Sequence, residues 1–230
     1  MELIHMTATY SNAMLVAILP QISDFASKLD LPMPQPVTAA QVREFRPSNI
    51  KDFIGGGLIL TNGYWFASDH GCVCGFRSTD NIFHDDDPAN SWPKYAYGED
   101  NMTTNDAVVL ARDALSKLGY KPELLGCDGP PRRFTGPYDM KDGHHVPHCQ
   151  MRWERYSETK TREEQVGNDC VTIEINMAKK AITGLTIASR KIWQTTPKLG
   201  VEPILEKDFK KQRIGGTMFI RTNAPASLPK

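Results

Sequence analysis

Residues 55–76 read GGGLILTNGYWFASDHGCVCGF. Two apolar runs, Leu58-Ile59-Leu60-Thr61 and Tyr64-Trp65-Phe66-Ala67, are parted by Asn62-Gly63. Asn-Gly supplies the positive φ angles of a type I′ turn, whose twist matches that of the antiparallel strands on either side. Asp69-His70-Gly71 marks a second turn, and 72–76 a third strand. The stretch is therefore predicted to be an antiparallel meander, with a short strand at 41–45 ahead of it.

On the N-terminal side, Leu15, Ile18, Leu19, Ile22, Phe25, Ala26 and Leu29 recur at three- and four-residue steps. That is the stripe of an amphipathic helix, predicted over 11–31. Ser11 or Asn12 is the expected cap, and Pro20 is expected to kink or restart the helix. On the other side, 79–100 is polar and carries His84 followed by Asp85-Asp86-Asp87, which predicts a long loop and a boundary between units.

The pattern then comes round again. Ala107, Val108, Ala111, Ala114, Leu115 and Leu118 form a second helical stripe, with Thr103 and Asp106 spaced as a capping box and Gly119 placed to end the helix. After a second loop at 127–147 come strands at 149–156, 171–176 and 182–189, separated by a polar insertion at 157–168 and a turn through Ala178-Lys179-Lys180. In the first of these strands Cys149, Met151 and Trp153 share one face, and Gln150, Arg152 and Glu154 the other. Beyond Arg190 the chain is rich in Pro and Lys, with one further strand predicted at 217–221 and no core of its own. The predicted class is α+β. Two units, 1–98 and 99–190, each lay one helix on an antiparallel meander, and 191–230 follows as an extended tail. Ser27-Lys28-Leu29 and Ser116-Lys117-Leu118 close the two helices alike, which points to internal duplication.

Bulk numbers narrow the function. Lys+Arg and Asp+Glu both count 27 in 230 residues. That balance argues against non-specific nucleic-acid binding, which needs a basic surface to neutralise phosphates. No run approaches the roughly 20 apolar residues of a membrane span. The longest near the start, 14–19, ends at Pro20 with no basic residue before it, unlike a signal peptide. The five cysteines, Cys72, Cys74, Cys127, Cys149 and Cys170, read as small apolar core residues and not as a disulfide framework.

The helix Asn105-Asp106-Ala107-Val108-Val109-Leu110-Ala111 to Leu118-Gly119-Tyr120, followed by the hairpin Val171-Thr172-Ile173-Glu174-Ile175-Asn176 to 182–187, resembles the PepSY module. More broadly it is similar to the cystatin-like α+β arrangement. It departs from that module at the hairpin turn, where Lys180-Ala181 stands in place of the usual Gly. The whole chain resembles a group of uncharacterised bacterial proteins, often exported, through Tyr10-Ser11-Asn12-Ala13, Leu19-Pro20-Gln21-Ile22-Ser23-Asp24, Leu60-Thr61-Asn62-Gly63-Tyr64 after Gly56-Gly57, and Asp69-His70-Gly71. The resemblance implies a module that modulates a peptidase or binds at the cell envelope without catalysis. It implies export only if a signal has been removed from the chain.

Candidate site residues fall into two sets. Tyr64 and Trp65 on the meander, Trp92, Tyr95 and Tyr97 in the first long loop, and Arg132 and Arg133 in the second are aromatic and guanidinium anchors of the kind binding surfaces use. His144, His145, His148 and Cys149 offer nitrogen and sulfur donors of the kind zinc takes, although their spacing matches no standard zinc frame. Cys72 and Cys74, two apart on a strand, would place both sulfurs on one face near His70. No nucleophile elbow, zincin helix or glycine-rich phosphate loop is present in the sequence. The reading is a non-catalytic binding module with a protein or peptide partner and no cofactor. Two alternatives stand beside it: a metal-dependent enzyme using His144 to Cys149 with Asp85 to Asp87, and a structural unit of a longer repetitive chain.

Overall fold

The structure is a computed structural model that describes residues 2–51, 53–82, 97–141, 143–154, 169–195 and 198–208. In chain order the first half carries β1 (Ile4–His5), α1 (Ala8–Lys28), β2 (Val42–Pro47), β3 (Gly56–Leu60), β4 (Trp65–Asp69) and β5 (Cys72–Arg77). The second carries α2 (Thr104–Lys117), the one-turn α3 (Pro122–Leu125), β6 (Arg133–Thr135), β7 (Tyr138–Asp139), β8 (His145–Val146), β9 (His148–Glu154), β10 (Cys170–Asn176) and β11 (Ala181–Ala188), with β12 (Ile204–Leu205) near the end of the described chain.

Eight of these strands form one antiparallel sheet in the order β2-β3-β4-β5-β11-β10-β9-β6. The two meanders meet edge to edge where β5 pairs with β11, through Phe76 opposite Leu185 and Arg77 opposite Gly184. Residues directly opposite in an antiparallel pair point to the same face. One row can therefore be followed across all eight strands: Phe45, Leu58, Phe66, Phe76, Leu185, Ile173, Met151, Phe134. Every member is apolar, and both helices cover this face. Ile18, Ile22 and Phe25 of α1 and Ala107, Ala111 and Leu115 of α2 join the row in one core. Phe25 packs edge-on against Phe66, with centroids 6.1 Å apart, and tilted against Phe76 at 5.7 Å. The next row lies on the opposite face and is mixed: Glu44, Ile59, Trp65, Arg77, Gly184, Glu174, Gln150, Thr135. Nonpolar-in, polar-out alternation thus sets which face the helices take.

Several local details differ from the sequence reading. Helix α1 starts earlier than predicted, capped by Thr7, whose Oγ1 accepts from the Tyr10 N–H at 3.2 Å. It also runs unbroken through Pro20. Pro20 removes the donor for the Val16 carbonyl, but both residues are exposed, so solvent can satisfy it. The Asn62-Gly63 hairpin is not type I′. Only Gly63 has positive φ (89°), and Gly63 N–H donates to Leu60 O, giving a longer loop that ends in a left-handed glycine. The tight turn with two positive φ angles is His70-Gly71, at 45° and 77°. Both α2 signals hold: Thr103 and Asp106 form the reciprocal capping box, and Gly119 follows the helix at φ 82°. The loop at 127–147 contains the short strands β6, β7 and β8, each too brief to show a period.

The C-terminal segment has no core of its own but shares one. Strand β12 pairs antiparallel with β1, and Leu199, Val201 and Leu205 pack on Ile4, Tyr10, Met14 and Ile54. Upstream, Trp193 stacks on His70 with centroids 3.7 Å apart and planes 8° off parallel. The predicted strand at 217–221 lies outside the described residues. Among those described, no helix is long and apolar enough to cross a membrane.

Candidate functional site

Where the halves join, the helices leave a cleft of about 330 Å³ on the covered face of the sheet. Its floor is Tyr64, Phe76 and Ile182, with Tyr64 stacked on Phe76 at 5.9 Å. One wall is the segment after α1, Leu29 to Pro32, and the other is the Leu110, Ala114 and Lys117 side of α2. The phenol of Tyr64 is held above its usual pKa, mainly by burial and further by the Asp80 charge. Around the rim stand Asp30, Asp80, Asp113, Lys117 and Lys180. Asp80 is paired with Lys179 at 2.6 Å and Asp113 with Lys117 at 3.6 Å. Asp30 and Lys180 make no salt bridge among the described residues. Thr183 lines the same cleft, and its buried Oγ1 lacks a hydrogen-bond partner among the described residues.

The opposite face of the sheet carries a buried polar layer. Glu174 lies over Gly184, where its carboxylate accepts from the Asn81 amide and, at 2.9 Å, from Gln150 Nε2. Asn81 also donates to Thr183 O at 3.2 Å, tying the segment after β5 across the sheet. His148, opposite Asn176 on the same face, is 1% exposed and its Nδ1 has no partner among the described residues. Burial pushes its pKa down to about 4.

A histidine that stays neutral when folded but titrates near 6.5 when unfolded costs stability in acid. Above pH 6.5 both states are neutral and nothing is lost. Between about pH 6.5 and 4 only the unfolded chain takes the proton, so stability should fall by about 3 kcal/mol across that window. Urea melts of the native chain and of His148→Gln at pH 7 and pH 4.5 check this, the variant being expected to lose much less between the two. An equal loss in both would contradict it. His145 contributes with the opposite sign, because Asp139 first and then Asp100 raise its pKa.

The sequence candidates do not converge on one place. Tyr64 is in the cleft. Trp65, its neighbour, projects from the other face, where it lies on Gly57 and Gly75 with the Arg77 guanidinium 5.2 Å from its ring centroid. Tyr97 stacks on His144 at 4.3 Å, and Gly98 N–H donates to His145 O, so the described end of the first long loop does meet the second. Trp92 and Tyr95, like His84 and Asp85 to Asp87, lie outside the described residues. Arg132 and Arg133 are exposed, Arg133 on the edge strand β6.

The four proposed metal donors turn to different partners: His144 lies on Tyr97, and strand alternation parts His148 from Cys149. His145 pairs with Asp139 at 2.7 Å and Asp100 at 3.2 Å, His148 turns to the polar layer, and Cys149 turns into the core with its pKa pushed up to about 12 by burial. Among the described residues no group of three His, Cys, Asp or Glu is placed to hold a metal ion. Cys72 and Cys74 depart from simple alternation because the pairing of β4 with β5 slips between Ala67 and Ser68, which leaves Cys74 between the paired residues Val73 and Gly75. Burial holds both thiols protonated, at about 12 and about 11.

The residues that make the cleft were not among those the sequence singled out, Tyr64 apart. Leu31 and Asp30 end a helix, and Lys180 and Ile182 open a hairpin, with nothing in their spacing to say that the two ends meet. Compared with protein-family models, with curated proteins and with solved structures, the chain matches none of them.

Proposed function

We propose that this chain is a non-catalytic binding module that holds a small ligand in the cleft between α1 and α2. The observation that carries this is the cleft itself: an apolar floor, walls from both halves of the chain, and charged groups confined to the rim. Ligand sites are generally clefts of about 300–1,000 Å³ with apolar linings and a few convergent polar groups. A catalytic reading finds less support. Asp69, His70 and Cys72 lie together, but Cys72 donates to Asp69 O at 2.9 Å and stays a thiol near neutral pH. A neutral thiol is a poor nucleophile.

The two-unit reading belongs to the same proposal. Helix α1 with β2 to β5 and helix α2 with β9 to β11 are taken as two PepSY-like units whose last strands pair, so the cleft forms at their junction. The resemblance of residues 103–189 to that module supports binding without catalysis, in modulating a peptidase or at the cell envelope.

Calorimetric titration with indole, an apolar probe of suitable size, tests the site. Leu110→Asp, on the cleft wall, is expected to weaken indole binding about tenfold or more, because a carboxylate replaces an apolar contact. Val109→Asp, on the exposed outer side of α2, should leave it unchanged. Equal effects of the two, or no indole binding, would contradict the proposal.

A further inference from the structure

Resting on that reading of the cleft, we infer that its ligand is a zwitterion of about dipeptide size with apolar side chains, its ammonium facing Asp30 and its carboxylate facing Lys180. The other charged groups on the rim already have partners: Asp80 is held by Lys179, and Asp113 by Lys117. One acidic and one basic side chain are left without a salt bridge among the described residues, on separate elements and both lining the same cleft.

Their backbones point the same way. Three non-glycine residues in the described chain have positive φ, and Asp30 (50°) and Lys180 (51°) are two of them. Glycine takes that conformation freely, whereas other residues held there mark positions whose side chain or turn the structure has reason to keep. Lys180 also lies close enough to Asp106 to stabilise that carboxylate slightly, after the larger effect of the Thr103 hydrogen bonds. Asp106 itself is not part of the cleft wall.

Size selects among zwitterions. Two residues of extended chain span roughly 7 Å, a length that a cleft of about 330 Å³ can take. The apolar floor of Tyr64, Phe76 and Ile182 suits leucine-like side chains.

The test uses L-leucyl-L-leucine, its N-acetyl derivative without the ammonium, and its C-terminal amide without the carboxylate, each titrated into the full chain. Both blocked compounds are expected to bind about tenfold more weakly than the free dipeptide, since each loses a charge-assisted contact. Asp30→Asn, which keeps a residue tolerant of positive φ, should abolish discrimination against the N-acetyl compound alone. Lys180→Gln should abolish discrimination against the amide alone. Indole, which carries neither charge, should bind all three proteins equally. If the three peptides bind alike, or if neither variant changes their ranking, the inference fails, and retained indole binding would then leave the cleft standing as an apolar site. If indole fails as well, the cleft reading fails with it.

Discussion

Gly184→Ala is expected to destabilise the chain by about 3 kcal/mol or more. An alanine Cβ at 184 would overlap the Glu174 carboxylate and the Asn81 amide, and would stand 2.8 Å from Glu174 Cδ. Both groups are the ends of side chains, and it is their hydrogen bonds that resist the shift an alanine would demand. Glu174 is held by Asn81 and Gln150, and Asn81 is 1% exposed and tied to the Thr183 carbonyl. Overpacking alone typically costs about 1–3 kcal/mol, and a buried carboxylate that loses its donors adds to that. Urea unfolding is the measurement, with a midpoint about 1 M or more lower. The cause can be separated from a general intolerance of β11. Glu174→Ser in the Gly184→Ala background removes the clashing group, so the pair should be less destabilised than the sum of the singles. A midpoint unchanged in Gly184→Ala, or strict additivity, would contradict the packing described.

Phe76→Ala should cost about as much or more, roughly 3–5 kcal/mol. Phe76 is fully buried on β5, the strand that joins the halves. Its ring meets Phe25 from α1, Tyr64 from the β3–β4 loop and Phe66 from β4, with centroids 5.4–5.9 Å apart. It faces Leu185 across the junction. Thermal unfolding should show one cooperative loss across both halves, because the residue belongs to the core of each. A drop confined to signals from the first half would mean that the halves do not share this core.

How far the fold could be read in advance depended on the range of the interaction involved. The stripes of α1 and α2, the alternation of Val171, Ile173 and Ile175, and the capping box at Thr103 are set by neighbours a few residues apart, and their residues are buried, half-buried against the core or bonded as their spacing implies. Pairing of β5 with β11 joins residues more than a hundred positions apart. Edge backbone groups on any strand can make such a bond, so no local pattern selects the partner. The site shared that difficulty. Tyr64 stood out as an aromatic on a hairpin, but which face it took depended on the unforeseen three-residue loop before it. Asp30 and Lys180 were legible only as the ends of elements. Asn81 and Glu174 sat in a loop and a strand with no hint that glycine at 184 makes room for their contact. The histidines were conspicuous because they cluster in sequence, but His144 stacks on Tyr97, His145 pairs with Asp139 and His148 lies opposite Asn176.

Indole is expected to sit in the cleft at the junction and not on another surface of α2. Intermolecular nuclear Overhauser effects from bound indole to side-chain methyls examine it directly. Contacts to the methyls of Leu31, Leu110 and Ile182 are expected. Contacts instead to Val108 and Val109, which line the open groove beside Pro130, Pro131 and Phe134, would contradict it.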